Sequence, residues 1–449
     1  MLKLQNPSNA CVRIETEDCI MLCDPWFTRG IFEGGWDNYP PVTEPEKIIK
    51  DVTHLFISHI HEDHWDLNVI RSLSRNVDIF IPDLYPNHLI KNQLQKEGFR
   101  RITMLMTGKP AVVSNGVTLE VIPPMNSYAQ EFPLYGANEE QRPVFSIDAG
   151  CIIDDGEVKI VLLSDNSPYN PSSAGRSLKR MKNADLLAFP YNGAAADFPL
   201  CYEFPIQEIV KIANERERRR EKATVKFLEL VTPKLAMPYS SDFAVLGPMA
   251  EKHCCFENEF WFNKKSVATH YKEQHEISTT YLLEGDVICI DKNGYRYESK
   301  RTDFPQLREF LFDNYHESPL TKTLYSSPSS YDVIENKSRD AAVNMFLLME
   351  KYGFETDWLL TIELSDLDER RIIIDFRDKC VKETKDIDRK MLTCIVDSGY
   401  FEALLDRRSH WNNAHSSFQL RWKREPNEYD IFLYGALNFF HLPIKKDAT

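Results

Sequence analysis

The chain has 449 residues, of which 43% are hydrophobic and 12% aromatic, and its net charge is −14. This length predicts more than one domain, and the hydrophobic content excludes a globally disordered chain. The acidic charge argues against binding to a nucleic acid polymer or an anionic membrane surface, although a bound metal would still attract a small anionic substrate.

The N-terminal region predicts two strands and a glycine-rich loop. Apolar runs at 10–14 and 19–23 are joined by an acidic turn, and the second run ends at Asp24. Because Asp24 lies at a strand end, it is a candidate to orient a metal-binding side chain through a hydrogen bond. A turn-forming role for this aspartate is equally expected. Arg29 and Trp36 on the following loop are candidate contacts for an anionic or ring-bearing substrate.

The most informative stretch follows a short apolar strand predicted at 53–58. His59, His61, Asp63 and His64 lie within six residues of one another. His59 and His61 alternate, so they share one face at the end of an extended strand and can bind one metal. Asp63 and His64 follow at the point where the chain can turn into a helix, and their side chains could then bind a second metal. Imidazole and carboxylate ligands suit Zn²⁺ or non-haem iron, and we expect one or two ions per chain.

Strands and helices alternate from this point to residue 290, with polar residues at the strand ends. This order predicts a layered α/β sandwich. The predicted strands are 77–81, 102–106, 117–122, 145–153, 159–163, 186–189, 234–238 and 287–290. The predicted helices are 66–75, 86–97 and 206–230. The charge-alternating centre of the last helix is typical of a solvated helix face.

Three further strand ends carry candidate site residues. Asp165 ends an apolar strand and is the best additional metal ligand. Asp242 follows the strand predicted at 234–238 and is a candidate carboxylate ligand. Tyr191 begins a loop rich in glycine and alanine and is a candidate substrate contact.

Charge rises near residue 300, where we predict a domain boundary. Residues 1–300 would form the metal-binding catalytic domain, and residues 301–449 an α+β accessory domain. The predicted accessory strands are 358–364, 371–376 and 417–422, and the predicted helices are 339–352, 399–406 and 429–440. The histidines of this region lack ligand spacing and are expected to be ordinary surface or core residues.

The run from Ser58 to His64 resembles the metal-binding signature of the metallo-β-lactamase superfamily, which implies an αββα sandwich. Together with the motifs Asp24–Phe27 and Ala196–Cys201 and the glycine loop ending at Trp36, it resembles the catalytic region of CMP-N-acetylneuraminate hydroxylases. Those enzymes join a Rieske domain to a metallo-β-lactamase-like oxygenase region. The resemblance covers roughly residues 9–290 in scattered motifs.

The superfamily pattern implies that Asp165 bridges two metals, but two histidines of the pattern are missing. No histidine lies between His88 and His253, and Asn126, a candidate substrate contact, stands near the place of the third histidine. The run Ser240–Asp242 replaces the last one. The alternative candidates for the missing ligands are His253, His270 and His275, although an ordinary structural role is favoured for each.

Three functions fit this pattern. In the first, favoured by the frequency of hydrolases in the superfamily, metal-bound hydroxide attacks a small, phosphate- or nucleotide-bearing substrate, with Asp63 and Asp24 as catalytic residues. In the second, iron at the same ligands activates O₂, and a separate electron-transfer protein supplies electrons. The third is a non-catalytic ligand-binding module. A role of the C-terminal region in forming a homodimer stays open.

The ten cysteines lack C-x-x-C spacing, which predicts reduced thiols in a cytoplasmic protein. No Cys-x-His pair occurs, so no Rieske iron–sulfur site is predicted within this sequence. The N-terminus lacks a signal-peptide apolar region. No apolar run approaches the ~20 residues that span a bilayer, so no membrane partner is expected.

Overall fold

Two β-sheets stacked face to face form the larger, N-terminal part of the chain. The computed structural model describes residues 1–125, 147–193, 198–299, 306–315, 328–367, 370–382 and 389–443. In spatial order, the strands of the first sheet are β16 (Gly294–Ser299), β15 (Val287–Asp291), β1 (Leu2–Ser8), β2 (Cys11–Glu15), β3 (Ile20–Cys23), β5 (His54–Phe56), β6 (Asp78–Pro82) and β7 (Ile102–Leu105). The pairs from β3 to β7 are parallel and the others antiparallel.

The second sheet combines an antiparallel half with a parallel half. Its strands, in spatial order, are β13 (Ala236–Tyr239), β12 (Leu186–Pro190), β11 (Lys159–Leu162), β10 (Gly150–Asp154), β9 (Val117–Ile122) and β8 (Ala111–Ser114). The pairs β11–β12 and β12–β13 are parallel, so their carboxyl ends meet at one edge. A separate two-stranded ribbon consists of β4 (Trp36–Asn38) and β14 (Phe243–Val245).

Alternation of apolar side chains along each strand builds the layers. In β3, Met21 and Cys23 enter the core between the two sheets, whereas Leu22 packs into the core beneath the helices outside the first sheet. In β10, Ile153 faces the inter-sheet core and Ile152 the opposite core. The predicted αββα sandwich is confirmed.

Helices cover both outer faces of the sandwich. Those outside the first sheet are α2 (Pro45–Ile49), α3 (Leu67–Ser72) and α4 (His88–Lys96). Those outside the second are α5 (Ser177–Met181), α6 (Ile206–Val231), α7 (Ala250–His253) and α8 (Lys264–His275). The short α1 (Ile31–Gly34) lies in the glycine-rich loop, and 3₁₀ turns occupy Pro171–Ala174, Gly247–Met249 and Cys254–Phe256.

The C-terminal region forms a five-stranded sheet flanked by helices. Its strands, in spatial order, are β19 (Cys380–Lys382), β18 (Arg371–Asp375), β17 (Leu359–Leu364), β20 (Met391–Val396) and β21 (Arg421–Glu425). The helices are α9 (Leu307–Tyr315), α10 (Tyr331–Tyr352), α11 (Ser398–Leu405), α12 (Trp411–Ser416) and α13 (Ile431–Leu437).

The C-terminal region packs directly against the sandwich. The Trp422 backbone N–H donates to the Cys201 carbonyl at 3.0 Å, and the Tyr202 and Tyr434 hydroxyls are hydrogen-bonded. One hydrophobic core contains side chains from both regions. The boundary at residue 300 stays a prediction, and residues 300–305 lie outside the described part of the chain.

Most predicted elements occur within a few residues of their expected bounds, with instructive exceptions. β20, a central strand, and β1 were not predicted: the alternation of β1 is confined to residues 2–5, and β20 is buried almost throughout and does not alternate. Helix α10 begins at Tyr331 rather than at 339, since the Ser330 side chain caps it by accepting from the Val333 N–H. The strand predicted at 417–422 begins only at Arg421, because α12 and its cap extend to Ser417.

No helix among the described residues combines the length and the apolar character that crossing a bilayer requires.

Candidate metal centre

The carboxyl ends of strands from both sheets meet at one edge of the sandwich. The parallel pairing of β3 with β5 sets Asp24 beside Ser58, whose backbone N–H donates to Asp24 Oδ1 at 2.7 Å. Across the sandwich, Ser164 and Asp165 follow β11, and Ser240 follows β13. Strand register therefore gathers the polar residues of distant segments at one place.

One group of ligating atoms consists of His59, His61 and Asp148. Their atoms lie within 4.8 Å of one another. His59 Nε2 is 2.9 Å from His61 Nδ1 and 3.6 Å from Asp148 Oδ1. The predicted alternation of the two histidines thus presents nitrogen atoms toward one point, and a carboxylate faces the same point.

A second group shares His59 and adds His64 and Asp165, again with ligating atoms within 4.8 Å. His64 Nε2 is 3.2 Å from both Asp165 Oδ2 and Asp63 Oδ2. His59 Nε2 is 3.9 Å from Asp165 Oδ2. Asp165 therefore touches histidines of both groups, and Asp63 adjoins the second.

Asp148 was not among the residues predicted from sequence. It precedes β10, which pairs antiparallel with β11, and continuing the register from Cys151 opposite Leu162 sets Asp148 opposite Asp165. Gly150 permits this close pairing, because a Cβ there would lie 2.7 Å from the Leu162 carbonyl oxygen. A predicted hairpin with Asp165 on one strand would have singled out its cross-strand partner.

Asp24 holds two of the ligating histidines through a hydrogen-bond network. Its Oδ2 accepts from His64 Nδ1 at 3.2 Å and from Ser164 Oγ at 2.8 Å. Ser164 Oγ lies 2.9 Å from Ser58 Oγ, which lies 2.9 Å from His59 Nδ1. One consistent proton assignment gives each histidine an Nδ1–H, leaving the Nε2 lone pair for a metal.

Asn9, in the turn between β1 and β2, forms hydrogen bonds with two residues of the site. Asn9 Nδ2 donates to Asp63 Oδ2 at 3.2 Å, and Asn9 Oδ1 accepts from the Asp242 backbone N–H at 3.2 Å. Ser240, one of the residues in place of the last histidine, donates to Asp165 Oδ1. Sequence reasoning missed Asn9, which carries no motif of its own.

Asp242 lies in a different environment from the two ligand groups. Its Oδ2 forms an ion pair with Lys264 Nζ at 2.7 Å, and both side chains are buried. Its Oδ1 accepts from the Tyr191 hydroxyl at 2.6 Å. Among the described residues Asp242 belongs to neither group, and its role as a ligand stays a prediction.

Burial and neighbouring charges set the protonation of the three histidines. Burial lowers the pKa of His59 well below its ordinary value, with His64 and His61 adding to the shift, and burial also lowers the pKa of His61. For His64 the effect of burial is outweighed by the Asp63 and Asp165 carboxylates, and the net pKa is raised well above its ordinary value. The His64 charge in turn holds the pKa of Asp165 below its ordinary value despite burial.

The donor set fits a divalent first-row metal ion. Three imidazoles and the carboxylates of Asp63, Asp148 and Asp165 converge there, and two neutral imidazoles offer lone pairs. Without a metal, a charged His64 offsets only part of the charge of these carboxylates, so a cation at this place is electrostatically favoured. Imidazole with carboxylate suits zinc and iron, and a set of two imidazoles and one carboxylate suits Fe(II).

Two of the predicted substrate contacts, Arg29 and Trp36, lie on the glycine-rich loop. Arg29 is exposed and pairs with Asp37 at 3.0 Å. Trp36 is buried, stacks on Phe243 with ring centroids 4.1 Å apart, and donates from Nε1 to the Ser416 carbonyl at 2.6 Å. Tyr191 is buried beside Asp242. Their roles stay predictions, and Asn126 lies outside the described residues, as do the first two residues of the Ala196–Cys201 motif.

The C-terminal region reaches the loop that carries the ligands. Glu62, between His61 and Asp63, accepts from the Phe32 backbone N–H at 2.7 Å and from Asn413 Nδ2 at 3.3 Å. Burial raises the pKa of Glu62. A Cβ on Gly35 would lie 2.7 Å from the Ser417 Cα, so the glycine permits the close approach of the C-terminal region at this point.

The remaining candidate histidines lie on other elements. His253 is buried, with the rings of Phe243, Phe256 and Phe262 as edge-on neighbours. His270 and His275 lie on α8 and both contact Glu221 of α6.

Comparison with known proteins matches residues 20–234 to the family model of the beta-lactamase superfamily domain. Over 250 residues the chain is 22% identical to proteins of Mycobacterium tuberculosis and Mycolicibacterium smegmatis described as putative Rieske 2Fe-2S iron–sulfur proteins. This match covers 55% of the chain and spans 45% of the length of those relatives. A 75-residue stretch is 36% identical to the cytidine monophosphate-N-acetylneuraminic acid hydroxylase of Asterias rubens, covering 16% of this chain and 11% of that one.

Solved structures with some similarity include a metallo hydrolase and a hydroxylase. The metallo hydrolase of Ignicoccus hospitalis is 14% identical with a TM-score of 0.41, covering 64% of this chain and 97% of that one. The diiron β-hydroxylase CmlA of Streptomyces venezuelae is 13% identical with a TM-score of 0.43, covering 67% of this chain and 54% of that one.

Proposed function

Residues 20–234 of this chain form a beta-lactamase superfamily domain, and we propose that the domain is a non-haem iron oxygenase supplied with electrons by a separate protein. The observation that carries this proposal is the group of His59, His61 and Asp148, with ligating atoms within 4.8 Å. Two imidazoles and one carboxylate on one side of a metal are the ligand set typical of Fe(II) oxygenases. Oxygenation was the second of the functions considered from sequence.

The protein's own residues bind and orient in this proposal. His59, His61 and Asp148 would hold one ion, and His64, Asp63 and Asp165 would hold a second or support the first. Bound iron with open coordination positions supplies O₂ activation. Asp24 and Ser58 are placed to keep His64 and His59, respectively, in the tautomer that leaves Nε2 available.

The apolar wall beside His61 fits a site that must limit access of water. The Phe32 ring lies edge-on to the His61 ring at 6.4 Å and packs on Trp36 at 5.0 Å. Exclusion of water protects reactive oxygen species from unproductive reaction. The contact of Glu62 with Phe32 and with Asn413 keeps this wall in place.

The electron supply is the part of the proposal that involves a partner. Curated relatives of this chain are described as putative Rieske 2Fe-2S iron–sulfur proteins. No Cys-x-His pair occurs in the 449 residues. We propose that an iron–sulfur centre outside these 449 residues delivers electrons to this domain. The substrate is proposed to be a small molecule, and its phosphate or nucleotide group stays a prediction.

Metal-assisted hydrolysis, the first of the functions considered from sequence, is the second candidate. The observation that favours it is the carboxylate pair of Asp63 and Asp165, each 3.2 Å from His64 Nε2. Such carboxylates can orient an attacking water and accept its proton. Zn²⁺ would be the expected metal in that case.

Metal analysis of protein purified without added metal separates the two candidates. We expect iron as the principal metal, and O₂ consumption when a chemical reductant and a small redox mediator are supplied. Zinc as the principal metal without reductant-dependent O₂ consumption would contradict the oxygenase proposal and support hydrolysis.

Substitution of Asp148 tests the observation itself. Asp148→Ala should lower the bound iron by more than about tenfold, because a ligand is lost. Asp148→His replaces the carboxylate with an imidazole and should raise the ratio of zinc to iron. The control is Asp83→Ala, an exposed aspartate after β6, which should keep the wild-type metal content. Unchanged iron in Asp148→Ala would overturn the assignment.

A further inference from the structure

A third group of metal-ligating side chains lies between helices α6 and α8. Glu221, His270 and His275 place their ligating atoms within 4.8 Å of one another. His270 Nε2 and His275 Nε2 lie 2.6 Å and 2.7 Å from the same atom, Glu221 Oε1. The three side chains are 17–27% exposed, so water and ions can reach them.

The convergence of these two histidines does not follow from helix spacing. Residues five apart on a helix point about 140° away from each other. Here His275 is the last residue of α8 and Glu276, in a left-handed conformation, ends the helix. The two imidazoles therefore meet through Glu221, which belongs to a different helix.

Packing holds the rings in this arrangement. Phe260 stacks on the His270 ring with centroids 4.0 Å apart, and Tyr271 lies 5.6 Å from the His275 ring. Tyr271 also packs on Phe189 of β12 at 5.2 Å, which ties α8 to the second sheet. The ligating nitrogens are thus positioned before any ion arrives, which limits the entropy lost on binding.

We propose that Glu221, His270 and His275 form a second metal site that binds one Zn²⁺ and joins α6 to α8. Two imidazoles and one carboxylate are three of the four ligands that Zn²⁺ takes, and a water completes the tetrahedron at a partly exposed site. The ion replaces the protons that the imidazoles otherwise share with Glu221 Oε1. The site is independent of the proposed iron centre, whose ligands come from other residues.

Dialysis of the chelator-stripped, full-length chain against ZnSO₄ tests the proposal. Wild-type protein should bind one more Zn²⁺ per chain than either Glu221→Gln or His275→Ala. The matched control is His88→Ala, an exposed histidine at the start of α4, which should bind as much as wild type. Crystals soaked in ZnSO₄ should show an anomalous zinc peak between the three side chains.

Glu221→Gln keeps the test decisive if His275→Ala fails to fold. Its amide oxygen still accepts an imidazole N–H, so the helix packing is retained, whereas the anionic ligand is lost. Circular dichroism checks the fold. Equal Zn²⁺ binding by Glu221→Gln and wild type, or no zinc peak at the three side chains, would overturn the proposal. Neither result bears on the iron content of the strand-end centre.

Discussion

The ligand group at the strand ends and the group between α6 and α8 use the same side-chain types but are held in different ways. At the strand ends, His59 and His64 each use Nδ1 to bond a polar neighbour, Ser58 or Asp24. Between the helices, the ring of His270 is positioned by stacking on Phe260. Strand register and hydrogen bonds to neighbouring residues position the first group, whereas the imidazoles of the second meet at Glu221 and aromatic packing only supports them. Polar substitutions should therefore damage the first more than packing substitutions damage the second.

The largest effect is expected for Asp165→Ala. Asp165 Oδ2 lies 3.2 Å from His64 Nε2 and 3.9 Å from His59 Nε2, so the change removes a ligand facing both histidines. Metal affinity at the strand ends should fall by more than about 100-fold, beyond the cost of losing an outer hydrogen bond, and elemental analysis of the purified protein measures the resulting loss of metal. Asp83→Ala is again the control. Full metal content in Asp165→Ala would show that the strand-end site does not depend on this carboxylate.

A smaller effect is expected for Asp24→Asn, which removes a charge without touching the ligating atoms. The amide can keep the bond from the Ser58 N–H but no longer offers a carboxylate to His64 Nδ1. Metal affinity should fall about 10–100-fold, the usual cost of losing an outer hydrogen bond to a ligating histidine. Competition with a chelator measures this change. An affinity within twofold of wild type would mean that register alone positions His64.

The smallest effect is expected for Phe260→Leu, which alters packing at the helix site. Leucine keeps an apolar contact but loses the stacking on His270, and the free energy of unfolding should fall by ~1 kcal/mol. Zn²⁺ affinity of the helix site should change by less than threefold, because Glu221 still faces both imidazoles. Denaturant unfolding and zinc titration measure the two quantities. A larger loss of affinity would make packing as decisive as the hydrogen bonds at the strand ends.

One part of the strand-end site could be predicted from the sequence, and another part could not. His59, His61, Asp63 and His64 are close in the chain, so their spacing alone predicted that they share a site. Asp148 is far from them in sequence, and only the pairing of β10 with β11 brings it to the same edge. The residues next to Asp148 form no recognisable motif, because strand pairing and not the flanking sequence positions this side chain.

The glycine-rich loop is a second case in which the sequence does not reveal a contact between distant segments. Its composition predicted a rim for substrate, which stays a prediction, and the structure adds that Gly35 and Trp36 contact Ser417 and Ser416 of the C-terminal region. The contact joins residues almost four hundred positions apart. Glycine signals that something approaches closely, but sequence does not say whether it is a ligand or another part of the chain.

The sequence by itself determined the sandwich and the local half of the candidate metal centre, because strand alternation and His-x-His spacing act within a few residues. The tertiary structure decided the rest. It set Asp148 opposite Asp165, paired Asp242 with Lys264, and brought Glu221 to the two histidines of α8. The first contact depends on the register of two neighbouring strands, and the other two depend on packing between distant segments, which no local pattern encodes.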